Sequence, residues 1–225
     1  MTPKLKISLL LAALSLAHAN PSFATAIDTI QGSRTTQGSI EFDQSGLSFQ
    51  TGPGGPYQFT SLKFDLRNSS SQPQSFTFNA DLYAVGGSPS YFPTGTSLAQ
   101  TILSTGTIAG FSDALMEYTT LGALGSYSLA ANTGYALVLS GASGVGVGGS
   151  LNWNAGGSTP VTGDGFSLLQ GFNLYIGSWI TPGNTPLRVT IQVSETSVPE
   201  PASFGLLGLG LGLMAFAKQR KGNQA

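Results

Sequence analysis

An all-β fold, a single sandwich of jelly-roll-like type, is what residues 25–197 of this chain predict. Three observations carry that prediction. Apolar and polar residues alternate with period two in several runs, Gly- and Pro-rich segments punctuate them, and no credible soluble helix lies between.

The clearest strands show one buried face each. Leu62, Phe64 and Leu66 alternate with Ser61, Lys63, Asp65 and Arg67; Phe76, Phe78, Ala80 and Leu82 with Thr77, Asn79, Asp81 and Tyr83; Leu187, Val189, Ile191 and Val193 with Arg188, Thr190 and Gln192. Shorter strands are read at Ile40–Phe42, Leu47–Phe49, Leu98–Leu103, Tyr118–Leu121, Tyr135–Leu139, Leu151–Trp153 and Leu174–Ile180. Turn-rich pieces separate them: Thr51–Pro56, Asn68–Pro73, Gly86–Gly95, Gly141–Ser150 and Thr181–Pro186. Tyr57 and Phe59 sit at odd positions, whereas Leu62, Phe64 and Leu66 sit at even ones. Burying both sets requires a β-bulge near Thr60-Ser61.

Both ends fall outside this body. Lys4 and Lys6, the apolar run Ile7–Leu16 and the small residues at Ala17-His18-Ala19 and Ser22-Phe23-Ala24 form a secretory signal peptide, residues 1–24. Cleavage after Ala24 is favoured because Pro21 breaks the apolar helix just upstream, with Ala19 and Ala26 as alternatives. Residues 198–225 read as a second membrane signal. Val198-Pro199-Glu200-Pro201 precedes an apolar run, 202–217, long enough for a short transmembrane helix, and the basic stop Lys218, Arg220 and Lys221 follows. The positive cluster stays cytoplasmic, which leaves the body outside the inner membrane.

This tail resembles the PEP-CTERM sorting signal handled by an exosortase. The resemblance rests on Pro199, Glu200 and Pro201, the Gly/Leu-rich span and the basic end, in that order. It implies an exosortase as partner, cleavage near the Pro-Glu-Pro triplet, a membrane-anchored precursor, and release or transfer of the body to the cell surface or beyond. It also implies a polysaccharide-secreting bacterium. The body itself looks like choice-of-anchor ectodomains, on Ser61–Asn68, Phe78–Tyr83 and Leu129–Ser140 followed by Leu151-Asn152-Trp153. Those families have no settled activity, so that likeness implies a fold and a surface role only.

Composition constrains the chemistry. The body contains nine acidic residues (Asp28, Glu41, Asp43, Asp65, Asp81, Asp113, Glu117, Asp164 and Glu195) against the bases Arg34, Lys63, Arg67 and Arg188. A surface with five net negative charges does not attract nucleic acid. With no cysteine, its stability must come from its core. The single histidine, His18, leaves with the signal peptide, so His- or Cys-based triads and His-ligated zinc are excluded. A Ser-Lys dyad would need Lys63, an outward strand position.

The remaining motifs are thin. Glu41 and Asp43 share one strand face about 6.6 Å apart, a spacing that an inverting glycosidase could use, although solvated acids are the plainer reading. Asp164, in Gly163-Asp164-Gly165, offers one carboxylate to calcium but more simply stabilises a turn. Gly144–Gly149 matches G-x-G-x-x-G but runs on into a strand rather than opening a helix, which excludes dinucleotide binding. Asn68-Ser69-Ser70 fits a glycosylation acceptor and reads more simply as a turn.

These readings lead to a non-catalytic structural or adhesive module associated with extracellular polysaccharide, without catalytic residues, cofactor or metal. The alternative is a carbohydrate-binding, lectin-like module, with a glycoside hydrolase as its weaker variant. For glycan stacking the candidates are Tyr175 and Trp179, which one straight strand would hold on one face about 13 Å apart with Gly177 between them.

Overall fold

The computed structural model describes residues 23–31, 33–40, 44–88, 91–144, 151–156, 161–175, 178–181 and 187–196. In chain order the elements are β1 (Phe23–Asp28), β2 (Arg34–Ser39), β3 (Gln44–Gln50), β4 (Tyr57–Asn68), β5 (Phe76–Val85), β6 (Pro93–Ser104), β7 (Asp113–Tyr118), α1 (Gly122–Ser126), β8 (Gly134–Gly144), β9 (Leu151–Gly156), β10 (Val161–Thr162), β11 (Ser167–Tyr175), β12 (Ser178–Ile180) and β13 (Val189–Glu195). They form two antiparallel sheets packed as a sandwich, so the all-β expectation holds. One sheet runs β10-β1-β13-β4-β9-β2 with β7 on the free side of β4; the other runs β12-β11-β3-β8-β5-β6.

The core lies between the sheets and is built from the alternating apolar sets. Leu62, Phe64 and Leu66 from β4, Phe78, Ala80 and Leu82 from β5, Leu137 and Leu139 from β8, and Val189, Ile191 and Val193 from β13 are all buried. Trp153 is fully buried at its centre; its ring meets Phe64 edge-on at 5.2 Å, and its indole N–H donates to the Arg188 carbonyl at 2.8 Å. Burying such a large apolar body with its one polar atom satisfied is among the strongest single contributions a core residue makes.

The bulge falls where the alternation requires it. Opposite β13, Ser61 pairs with Gln192 and Phe59 with Val193, so Thr60 is the extra residue. Tyr57 and Phe59 are thereby turned inward with Leu62, Phe64 and Leu66, and all five are buried.

Three expectations need correction. The strand expected at Tyr118–Leu121 ends at Tyr118, and the next turn is the helix α1, where the sequence reading had none. Leu121 and Leu124, three apart on one side of that turn, are both buried, and the gap they fill decides the local conformation against weak propensity. Leu187 makes an isolated bridge to Ala155 before β13 begins. Leu174–Ile180 is not one strand: β11 reverses into β12, with Leu174 opposite Trp179 and Tyr175 opposite Ser178.

Among the described residues no helix is long and apolar enough to cross a membrane. The signal peptide, the span expected at 202–217, and the tail motif Pro199, Glu200 and Pro201 with its basic stop lie outside the described residues.

Candidate functional site

Strand β4 changes partner halfway along. Phe64 pairs with Val189 of β13, whereas Leu66, two residues on, pairs with Trp153 of β9. The backbone crosses the gap by Asp65 N–H donating to the Arg188 carbonyl at 3.2 Å and Arg188 N–H donating to the Asn154 carbonyl at 2.8 Å.

On the outer face, directly over this fork, sits the densest polar network among the described residues. Arg34 donates to both Asp65 carboxylate oxygens at 2.8 and 2.9 Å, Arg188 Nε donates at 2.6 Å, and Asn154 Nδ2 donates at 3.0 Å. The same Asn154 amide donates to Asp113 at 2.9 Å, and Arg67 and Arg34 approach that carboxylate at 3.5 and 3.6 Å. Three of the body's four basic residues therefore converge on two aspartates.

Asp65 is fully buried. Burial pushes its pKa up, but hydrogen bonds from Arg34, Asn154 and Arg188, with the charge of Arg34, outweigh burial and hold the carboxyl below the ordinary range. A glycosidase's general acid must be tuned in the opposite direction. Asp65 and Asp113, bridged by one amide, are thus a structural pair that ties β2, β4, β7, β9 and the start of β13 together.

Sequence reasoning missed this network. Asp65 and Arg188 were read correctly as outward-facing, but alternation assigns a face and says nothing about what else covers it. The available signal was arithmetic: a body with only four bases has no cations to leave idle.

The second constellation lies on the outer face of the other sheet. Phe172 is fully buried there with Ala136 and Val138, and Tyr83, Val85, Phe92 and Trp179 pack around them. Phe92 and Trp179 approach Phe172 edge-on at 5.9 and 5.0 Å. Phe172 lies across β3 at Gly46, where a Cβ would come within 2.7 Å of the ring Cζ and 2.8 Å of the Leu137 carbonyl. Beside this cluster Asp81, buried by its neighbours, accepts from Gln100 at 2.7 Å and Ser97 at 3.1 Å.

Trp179, one of the two proposed stacking residues, is half-buried against Phe172. Tyr175 is in β11, and its side chain lies outside the described part. Because β11 and β12 form a hairpin, the two residues are not spaced along one strand, and the 13 Å arrangement is overturned.

The other candidates separate cleanly. Lys63 faces outward as expected and pairs with Glu117 at 3.0 Å. Asn68 is buried: its amide donates to Gln72 and Ile108 carbonyls at 2.8 and 3.0 Å, and its oxygen accepts from Ser70 N–H at 2.9 Å. It is therefore a turn-forming residue with no free amide for a glycan. Asp164 occupies a turn with φ of 51°, followed by Gly165 with φ of 74°, backbone that Asp and Gly adopt readily. Glu41 and Asp43 lie outside the described residues, and so do the glycines of Gly144–Gly149 after Gly144, which ends β8.

Residues 197–221 match the PEP-CTERM protein-sorting motif. That span contains Pro199, Glu200, Pro201, Lys218, Arg220 and Lys221. None of the curated proteins matches the chain significantly. One solved structure it resembles is titled "Structure of infectious bursal disease virus Gx strain", at 17% identity and a TM-score of 0.27; the match covers 78% of this chain and 37% of that one. The likeness to the choice-of-anchor ectodomains finds no counterpart in these matches. The sorting motif begins immediately after Thr196, the last described residue, whose N–H donates to the Pro56 carbonyl. The chain thus carries a PEP-CTERM sorting motif, the signal of a membrane-anchored precursor that an exosortase recognises for export.

Proposed function

We propose that the sandwich is the exported cargo of this system and serves as a non-catalytic structural or adhesive module within extracellular polysaccharide. One observation carries the reading: Asp65, the most buried carboxylate among the described residues, is held ionised by two arginines and an asparagine as part of the scaffold. The fold spends its few charges on holding strands together. The uncharged Ser, Thr, Asn and Gln that cover much of the remainder suit a surface packed among neutral sugars.

The test begins with sorting. Immunoblots of the native host should reveal a mature form without the C-terminal segment, and Glu200→Ala should leave full-length protein in the inner membrane. If wild type and variant fractionate and migrate identically, the sorting basis of the proposal fails. The processed protein should then be retained by the producer's own polysaccharide, and its free passage through that matrix would sink the matrix role.

A lectin-like module is the second reading, favoured by the half-buried rings of Phe92, Tyr83 and Trp179, which pack around the buried Phe172. Aromatic rings combine large contact area with little conformational freedom to lose, which suits the C–H face of a sugar. Gln100, Ser97 and Asp81 would lie alongside as polar partners.

A further inference from the structure

Both ends of the sandwich leave it side by side. Phe23 lies opposite Ser194 in the β1–β13 pair, so the first strand begins where the last one finishes. That end of the molecule is built from two turns and a short strap. Thr196 donates to the Pro56 carbonyl through its N–H at 2.8 Å and its hydroxyl at 3.0 Å. Asn132 N–H donates to the Gly52 carbonyl at 3.0 Å, and Gly163 N–H to the Ala26 carbonyl at 3.1 Å. A Cβ at Gly52 would collide with the Asp164 carbonyl oxygen, so the 52–56 and 163–165 turns are in direct contact.

The chain is therefore fixed as far as Thr196. Only Ser197 and Val198 separate it from Pro199, and the apolar run begins at Ala202. Six residues at full extension reach about 20 Å. So short a spacing keeps the sandwich close to the membrane enzyme, and whatever closes on residues 199–201 meets this end of the sandwich.

We propose that the face formed by Pro53, Gly54, Asn132, Asp164, Gly165 and Glu195 is a docking surface for the sorting enzyme. The proposal rests on the exosortase reading. All six residues are exposed, and the face is acidic. Burial first, and then the charges of Glu195 and Asp164, push the Tyr57 phenol beneath it above its ordinary range. Anionic headgroups repel such a face, which favours a protein occupant with basic or polar complementarity over the lipid surface. The two-residue tether raises the effective concentration of this face at the enzyme, so that even a weak contact contributes.

The experiment follows conversion of the full-length chain in its native host by pulse-chase immunoblotting. An eight-residue Gly/Ser insertion after Thr196 should slow conversion roughly threefold or more, since effective concentration falls steeply with tether length. The paired change Asp164→Asn with Glu195→Arg should slow it comparably, whereas Gln72→Arg at the far end should convert at the wild-type rate. Protease resistance of the body reports folding; if the paired change loses it, the insertion, which leaves the sandwich sequence intact, decides. Unchanged or faster conversion of the insertion variant overturns the docking face. Failure of the sorting reading itself looks different: wild type is then not converted, or Glu200→Ala is converted like wild type.

Discussion

Asp65 and Arg188 meet at 2.6 Å with both side chains buried, at the point where β4 exchanges one neighbouring strand for another. The sheet has a seam there, and the ion pair closes it.

Asp65→Asn should cost about 3 kcal/mol, because it leaves Arg188 buried against a neutral group. The pH dependence follows from the depressed pKa. Stability from Asp65 is present above the ordinary carboxylate range and is lost as pH falls through its lower folded value. Urea titrations from pH 7 down to pH 2 should show an acid limb in wild type that is smaller in Asp65→Asn. Equal acid limbs would mean that the network contributes nothing.

Tyr118 gives the opposite limb. Its hydroxyl finds no partner among the described residues, and burial pushes the phenol well above its ordinary range. A folded pKa raised above the unfolded value contributes stability that is complete below about pH 10 and lost above it. Tyr118→Phe should raise stability at neutral pH by about 1 kcal/mol, since it removes a desolvated hydroxyl, and should flatten the alkaline decline. A destabilised Phe variant would show that the hydroxyl has a partner after all.

Trp179 and Trp153 should part company under truncation. Trp153→Ala empties the central core and should cost roughly 3–5 kcal/mol. Trp179→Ala removes a half-buried ring from a small outer cluster and should cost about 1–2 kcal/mol. If Trp179→Ala or Tyr175→Ala abolishes polysaccharide retention at near-native melting temperature, the lectin-like reading gains its site. Retention unchanged in both variants removes it.

N-terminal sequencing of the mature protein bears on the export signal. Cleavage after Ala19 leaves β1 whole, cleavage after Ala24 removes its first two residues, and cleavage after Ala26 places a charged amine on Ile27, a core position. A mature chain starting at Thr25, which keeps the Thr25–Gln192 pairing, is the expected result, and one starting at Ile27 would contradict the β1 pairing.

Much of the fold was legible because one physical rule, alternation over a buried face, governs β4, β5 and β13. Even the bulge at Thr60 could be read, since it is the parity change from Phe59 to Leu62. Illegible parts were those decided by long-range packing. The hairpin between Tyr175 and Ser178 passes through residues that also alternate acceptably as one strand. Helix α1 follows from the space that Leu121 and Leu124 fill. The Asp65 network joins residues up to 123 positions apart, and no local pattern encodes such a meeting. The sorting tail, by contrast, is read linearly by an enzyme, so its signal is complete in its order of residues.

Among the described strands β13 is the last to leave the ribosome, yet it lies inside its sheet, between β1 and β4. A chain cut short before Val189 cannot fill that slot, and its two neighbours are left with open edges. The architecture therefore inspects its own progress: only a chain exported through β13 can close the sandwich, and the segment that closes it carries the sorting motif directly behind.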